Sequence, residues 1–299
     1  MWLPDRNNLI SVYLYAMLSY SAAYGELSTA LRVIYDERES AAITHEVLEY
    51  ITGAGRLQRI TDKDKRLTGE QELQFIKIKK GLLSGRPMQY VLGYAWFMGR
   101  RFIVNEHVLI PRPETEELVQ WIVDDCRGQA PVILDIGTGS GCIPIMLKIL
   151  IPEANVSGID ISYDALSIMM RNAEILDTEI GVGRLDFLDT SRWPGLAQWD
   201  IIVSNPPYIP ETERDTLSRN VREFEPGQAL FVPGDDALLF YRHIAEFARE
   251  HLATGGAVYC ELHVDNARAT EELFKSMGYA YTELRADMHG NLRMLKAKK

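Results

Sequence analysis

The 299-residue sequence predicts an α/β protein. The expected fold is a doubly wound sheet with helices on both faces, preceded by a small α-helical bundle and a β-hairpin. Three observations predict it. Residues 1–88 hold helical stretches and no convincing strand. Residues 89–112 alternate aromatic and β-branched residues around Gly93 and Gly99. From about 113, short apolar runs alternate with amphipathic stretches, which is the pattern of βα units. The expected divisions are therefore 1–88, 89–112 and 113–299.

In the first division four helices are expected, at 8–24, 26–38, 42–54 and 68–84. Thr68 stands three residues before Gln71, a capping-box spacing. Gly85 and Pro87 end that helix. The hairpin follows over 89–112. PETEELVQWIVDDC reads as an amphipathic helix, and 131–137 as a buried parallel strand. Helix 141–150, strand 155–160, helix 162–176 and a short strand at 182–186 come next. A strand ending at Ser204, helix 236–253, strand 255–262, helix 264–277 and a final pair (279–285, 292–297) complete the chain.

Charge and cysteine content narrow the function. The formal net charge is −10, and nearly all of it falls after residue 90. That balance disfavours a partner held chiefly through phosphates. Three cysteines with no C-x-x-C pair suit neither a disulfide framework nor a zinc site. The apolar N-terminal stretch is too short to span a bilayer and lacks a basic n-region and a cleavage site. A cytoplasmic setting, no metal and no membrane contact are expected.

The segment Asp135-Ile136-Gly137-Thr138-Gly139-Ser140-Gly141 follows a strand and opens a helix. Its glycines permit a tight turn and close ligand approach. A dinucleotide fingerprint wants Gly or Ala at 142, where Cys142 stands, and no Lys follows to make a P-loop. Alone, the turn is as readily structural as functional. Asp160, 19 residues after Gly141 and at the next strand end, changes that, because its carboxylate suits a pair of ribose hydroxyls. Asp186 and Phe187 end the following strand and suit an adenine. The cofactor is then adenosine-containing with no pyrophosphate. S-adenosylmethionine (SAM), whose sulfonium and ammonium are cationic, fits Asp135 better than NAD does.

After the fourth strand stands Asn205-Pro206-Pro207-Tyr208. Pro206 pushes Asn205 toward an extended backbone, and the two prolines remove two N–H donors. What remains is a rigid rim of acceptors: the Asn205 side-chain oxygen and the Pro206 carbonyl. Such a rim suits a planar NH2 group, and Tyr208 offers a ring face beside it. An amide nitrogen is a poor nucleophile. Two acceptors can orient it and favour a more pyramidal geometry, so transfer rests on proximity and electrostatic preorganisation rather than on a strong base. Taken alone, a Pro-Pro turn with Asn205 as a cap is the commoner use of such residues.

The Asn-Pro-Pro-Tyr loop does not by itself choose between adenine in nucleic acid and glutamine in protein. The preceding segments do. Pro87-Met88-Gln89-Tyr90-Val91-Leu92-Gly93 and Ile110-Pro111-Arg112-Pro113-Glu114-Thr115-Glu116 closely resemble the protein-(glutamine-N5) methyltransferases that modify peptide chain release factors. The likeness continues through Glu225-Pro226, Ala229-Leu230-Phe231 and Gly234-Asp235-Asp236, and covers roughly 85–299. It implies a class I SAM-dependent methyltransferase sheet of seven strands, the last antiparallel. It implies transfer to the glutamine of the Gly-Gly-Gln motif of class 1 release factors, with Asn205 and Pro206 accepting the amide hydrogens and Pro207 and Tyr208 completing the loop. Gly137, Thr138, Gly139, Ser140, Gly141, Asp160, Asp186, Phe187 and Asn205 would hold SAM. Arg112 and Glu114 would order the wall of the site, the alternative for both being an ordinary ion-paired helix start. The helical part and hairpin would grip the factor, and the protein is expected to be a monomer without direct nucleic-acid contact. Two departures stand out: Glu261-Leu262-His263-Val264-Asp265-Asn266 where Glu-Ile-Gly-x-x-Gln is usual, and Ala237 where a second glycine is usual. His263 reads as a packing or surface residue. An adenine-N6 methyltransferase and a non-catalytic binding protein are the competing readings.

Overall fold

The computed structural model describes residues 17–299. Most of the helix expected at 8–24 lies outside them. The chain divides into two compact units between Leu92 and Gly93.

The first unit is helical: α1 (Tyr20–Leu31), α2 (Glu37–Thr52), α3 (Arg56–Thr61), α4 (Gly69–Leu83) and α5 (Met88–Leu92). The expected break near Gly25 does not occur, because α1 runs through it. One interior glycine costs a helix only about 1 kcal/mol, and the buried Ala23, Leu27 and Leu31 hold this one. The break falls instead at Asp36, whose side chain accepts from Glu39 N (2.8 Å) and starts α2. The capping box at Thr68 and Gln71 is present as expected.

The second unit opens with the hairpin, β1 (Tyr94–Phe97) and β2 (Arg100–Ile103). It is shorter than the expected 89–112. Met98 and Gly99 both have positive φ (46° and 73°), which makes a two-residue turn that pairs only four residues a side. Residues 88–92 are helical instead, and 104–112 form no regular element. Phe97 and Phe102 are buried in the same core as the sheet.

The remaining elements are α6 (Pro113–Asp125), β3 (Val132–Ile136), α7 (Cys142–Leu150), β4 (Asn155–Asp160), α8 (Tyr163–Ile175), β5 (Gly181–Arg184), β6 (Trp199–Ser204), α9 (Arg219–Phe224), α10 (Gly227–Leu230), α11 (Leu239–His251), β7 (Leu252–Glu261), α12 (Ala267–Ser276), β8 (Tyr281–Ala286) and β9 (Leu292–Lys298). The short α9 and α10 have no counterpart in the sequence expectations. The strands form one sheet in the order β5-β4-β3-β6-β7-β9-β8. β9 is antiparallel to both its neighbours, and β3 through β7 are parallel. This is the seven-stranded, doubly wound class that the sequence predicts.

Strand alternation sorts side chains between two cores. Ile133, Ile201, Val203, Ala257 and Tyr259 face one core, which α6, α7 and α8 cover. Leu134, Ile136, Ile202, Val258 and Cys260 face the other, beneath α11 and α12. The order reverses at β3, with β4 on one side and β6 on the other, so a crevice opens beyond the carboxyl ends of these strands. Among the described residues no helix is long and apolar enough to cross a membrane.

Candidate active site

The crevice is a cavity of about 320 Å³. Three strand ends line it. From β3 come Gly137, Thr138, Gly139 and Ser140; from β4, Asp160; from β6, Asn205, Pro206 and Pro207. Asp186 and Phe187 line it too. The strand before them ends at Arg184 rather than at Asp186, so both sit in the loop that follows.

The glycine loop is held open by its backbone. Gly137 N and Thr138 N donate to Ile159 O (2.9 and 3.0 Å), and Gly139 N donates to the Asp160 carboxylate (2.9 Å). Asp160 also accepts from Ser162 N (2.9 Å). Each carboxylate oxygen keeps a second lone pair for a ligand hydroxyl. Burial raises the Asp160 carboxyl above its ordinary value, although these backbone bonds oppose it. Gly141 does not line the cavity. Its φ is +79°, and a Cβ there would run into Met169. It is needed for close packing of α7 on α8.

Asp135 is fully buried, and neither carboxylate oxygen has a hydrogen-bond partner among the described residues. Burial pushes its carboxyl up to about 7. An unpaired buried carboxylate is costly, and a nearby cation would relieve the cost. Asp135 does not itself line the cavity; it lies on β3 just beneath the glycine loop.

The Asn-Pro-Pro-Tyr loop is fixed at both ends. Ser204 Oγ donates to Ile136 O (2.7 Å) and ties β6 to β3. Ile209 N donates to Leu230 O (3.1 Å), and Val232 N to Ile209 O (2.9 Å). Tyr208 does not line the cavity; its ring lies against His263, with centroids 5.4 Å apart. His263 is thus a packing partner of that loop. Phe187 is buried against Trp193 and Phe247.

Arg112 lines the cavity and donates to Glu225 at 2.6 Å, where the Glu225 side chain is 1% exposed. Ile110 N donates to the other oxygen of Glu225 (3.3 Å). Glu114 is not among the lining residues. Three contributors escaped the sequence reading. Thr115, buried in the first turn of α6, donates to Glu261 Oε2 (2.6 Å) and accepts from Asn205 Nδ2 (3.3 Å). Glu261 ends β7, and an acidic residue closing an apolar strand is the same signal that Asp160 carries. Asn172, buried on α8, donates to Ser140 O (2.9 Å), so it braces the glycine loop from behind.

Comparison with known proteins gives the family. The model of the family "Methyltransferase small domain" matches residues 114–224, and that of "PrmC N-terminal domain" matches residues 23–93. The release factor glutamine methyltransferase of Flavobacterium psychrophilum is 40% identical, covering 89% of this chain and 94% of its own. The protein of the same name from Bacteroides thetaiotaomicron is 40% identical, covering 90% and 96%. Among solved structures, the hMettl16 catalytic domain in complex with a MAT2A 3′UTR hairpin superposes with a TM-score of 0.52 at 16% identity, covering 77% of this chain and 82% of that one. At that identity the likeness is one of fold alone.

Proposed function

The chain belongs to the release factor glutamine methyltransferases, and from that premise we propose that it methylates the side-chain amide nitrogen (N5) of the Gly-Gly-Gln glutamine in class 1 peptide chain release factors. The observation that carries this reading is one shared cavity: Asn205, Pro206 and Pro207 line it together with the glycine loop and Asp160.

The residues fit SAM. Gly137 and Gly139 leave open space where other side chains would project. Asp160 offers carboxylate lone pairs for the ribose. Asp186 and Phe187 suit the adenine. The partnerless carboxylate of Asp135 answers the cofactor's positive charge. When bound, SAM supplies an electrophilic methyl group on a sulfonium.

The protein's own part is to hold the nucleophile. The Asn205 side-chain oxygen and the Pro206 carbonyl accept the two amide hydrogens and draw the nitrogen lone pair out of conjugation. With SAM held by these residues, its methyl would pass to the amide nitrogen, S-adenosylhomocysteine would leave, and the nitrogen would give its proton to solvent. No lowered-pKa base is required. The matched helical unit is assigned to gripping the factor, and a cytoplasmic monomer suits the sequence.

Mass spectrometry of the Gly-Gly-Gln peptide after incubation with SAM tests the proposal. One added methyl on the glutamine, absent from a Gln→Ala factor, is expected. Equal labelling of both factors, or transfer to RNA or DNA in their place, would overturn it.

A further inference from the structure

The acceptor rim works only if the Asn205 amide presents oxygen, not nitrogen, to the substrate. The two ends of a carboxamide are nearly isosteric, so shape alone selects neither. Selection has to come from a hydrogen bond on the far side, and one is present. Asn205 Nδ2 lies 3.3 Å from Thr115 Oγ1. Thr115 Oγ1 lies 2.6 Å from Glu261 Oε2. Thr115 and Glu261 are 2% and 3% exposed, so water does not compete at either.

A hydroxyl has one proton to give. Thr115 gives it to the Glu261 carboxylate and can then only accept. Only the NH2 end of Asn205 can satisfy it. Among the described residues the amide oxygen, Oδ1, has no protein partner, and this is the end left for the substrate. The anchor is itself rigid. Tyr241 Oη donates to the backbone oxygen of Glu261 (2.9 Å), and β7 pairs on both sides. Thr115 is held in α6 just after Pro113, at the first helical position.

Resting on the methyl-transfer reading above, we propose that Thr115 and Glu261 are positioning residues for the reaction: they form a one-way hydrogen-bond relay that turns Asn205 Oδ1 toward the nucleophilic amide. The relay reverses if Glu261 takes up a proton. Glu261 then donates to Thr115, Thr115 is free to donate to Asn205, and the amide turns its NH2 to the substrate, where donor meets donor. The charged and titratable groups that face Glu261 are Glu114, Arg112, Arg293, Tyr208, Tyr241 and Cys142. Burial outweighs the two arginines and pushes the Glu261 carboxyl up to about 7. The active, ionised form is therefore lost on the acid side of neutrality.

The test measures kcat on a Gly-Gly-Gln release factor at saturating SAM and factor, with dissociation constants of both ligands as a check on folding. Thr115→Val keeps the shape and removes the relay; kcat is expected to fall about 10- to 100-fold with both dissociation constants within about twofold. Thr115→Ser, which keeps the hydroxyl, should restore kcat to within about threefold of the wild type. The wild-type kcat should decline as pH falls through about 7. Glu261→Gln should be slower and lack that acid limb. A Thr115→Val enzyme as fast as the wild type, a Thr115→Ser enzyme as slow as Thr115→Val, or an unchanged acid limb in Glu261→Gln would each overturn the relay while leaving the methyl-transfer reading intact. A wild type that transfers nothing overturns both.

Discussion

The side-chain amide of Asn172 is bonded in both directions to the backbone of Ile103: Ile103 N donates to its Oδ1 (2.7 Å), and its Nδ2 donates to Ile103 O (3.0 Å). The same Nδ2 reaches Ser140 O. One buried side chain thus joins the hairpin to the glycine loop. Asn172→Ala would leave backbone groups unsatisfied on both, partly buried at Ile103 and buried at Ser140. It should destabilise the protein by about 2–4 kcal/mol and weaken SAM binding as well. Denaturant unfolding and calorimetry check the two effects.

Arg112 and Glu225 make a pair of unequal exposure. The Glu225 side chain is sealed, whereas that of Arg112 is 33% exposed. Arg112→Ala strands a buried charge and should cost about 3 kcal/mol. The double variant Arg112→Ala, Glu225→Gln should be more stable than Arg112→Ala alone, because the stranded charge is gone. Urea midpoints of the set decide it.

Asp135 should make both stability and cofactor affinity depend on pH. Burial raises its folded carboxyl from the ordinary carboxylate range up to about 7. Between those values the folded state holds the proton that the unfolded state has lost. Its contribution therefore falls as pH rises through that window, and Asp135→Asn should remove that part of the slope. A cation favours the carboxylate, so SAM affinity should rise from about pH 6 to about pH 8, with a proton released on binding. Asp135→Asn should bind SAM more weakly and with little pH dependence. Calorimetry in buffers of different ionisation enthalpy counts the proton.

Asn205→Ala removes one of the two acceptors proposed for the substrate amide. Turnover should fall by about 10²–10³-fold, while SAM affinity changes by no more than about threefold. Single-turnover kinetics beside equilibrium SAM binding separates the two. Near-normal turnover would refute the acceptor rim.

Much of the site is legible in the sequence because it is contiguous. The glycine loop and the Asn-Pro-Pro-Tyr loop are each made of neighbouring residues, and the alternation of strands and helices places both at the carboxyl ends of the adjacent strands β3 and β6. Thr115, Glu225, Glu261 and Asn172 act through long-range contacts: 90 residues separate Thr115 from Asn205 and 146 separate it from Glu261. Local pattern has no access to such pairs. The misplaced break at Gly25 has another cause. Local propensity argues for ending a helix there, but core packing of Leu27 and Leu31 outweighs the cost of one glycine. Asp186 falls outside its strand because β5 is a four-residue edge strand with two glycines, where ladder pairing is short.

The long separations also bear on synthesis. A chain leaves the ribosome from its N-terminus and orders as its partners emerge. Thr115 appears early and has no anchor until Glu261 follows 146 residues later. β7, which carries that anchor, is inserted between β6 and β9, and β9 follows it in the chain. The Thr115–Asn205 corner is thus completed only after residues well C-terminal to the glycine loop have been made. A nascent or C-terminally shortened chain would already carry the cofactor loop, yet its acceptor amide would be unset.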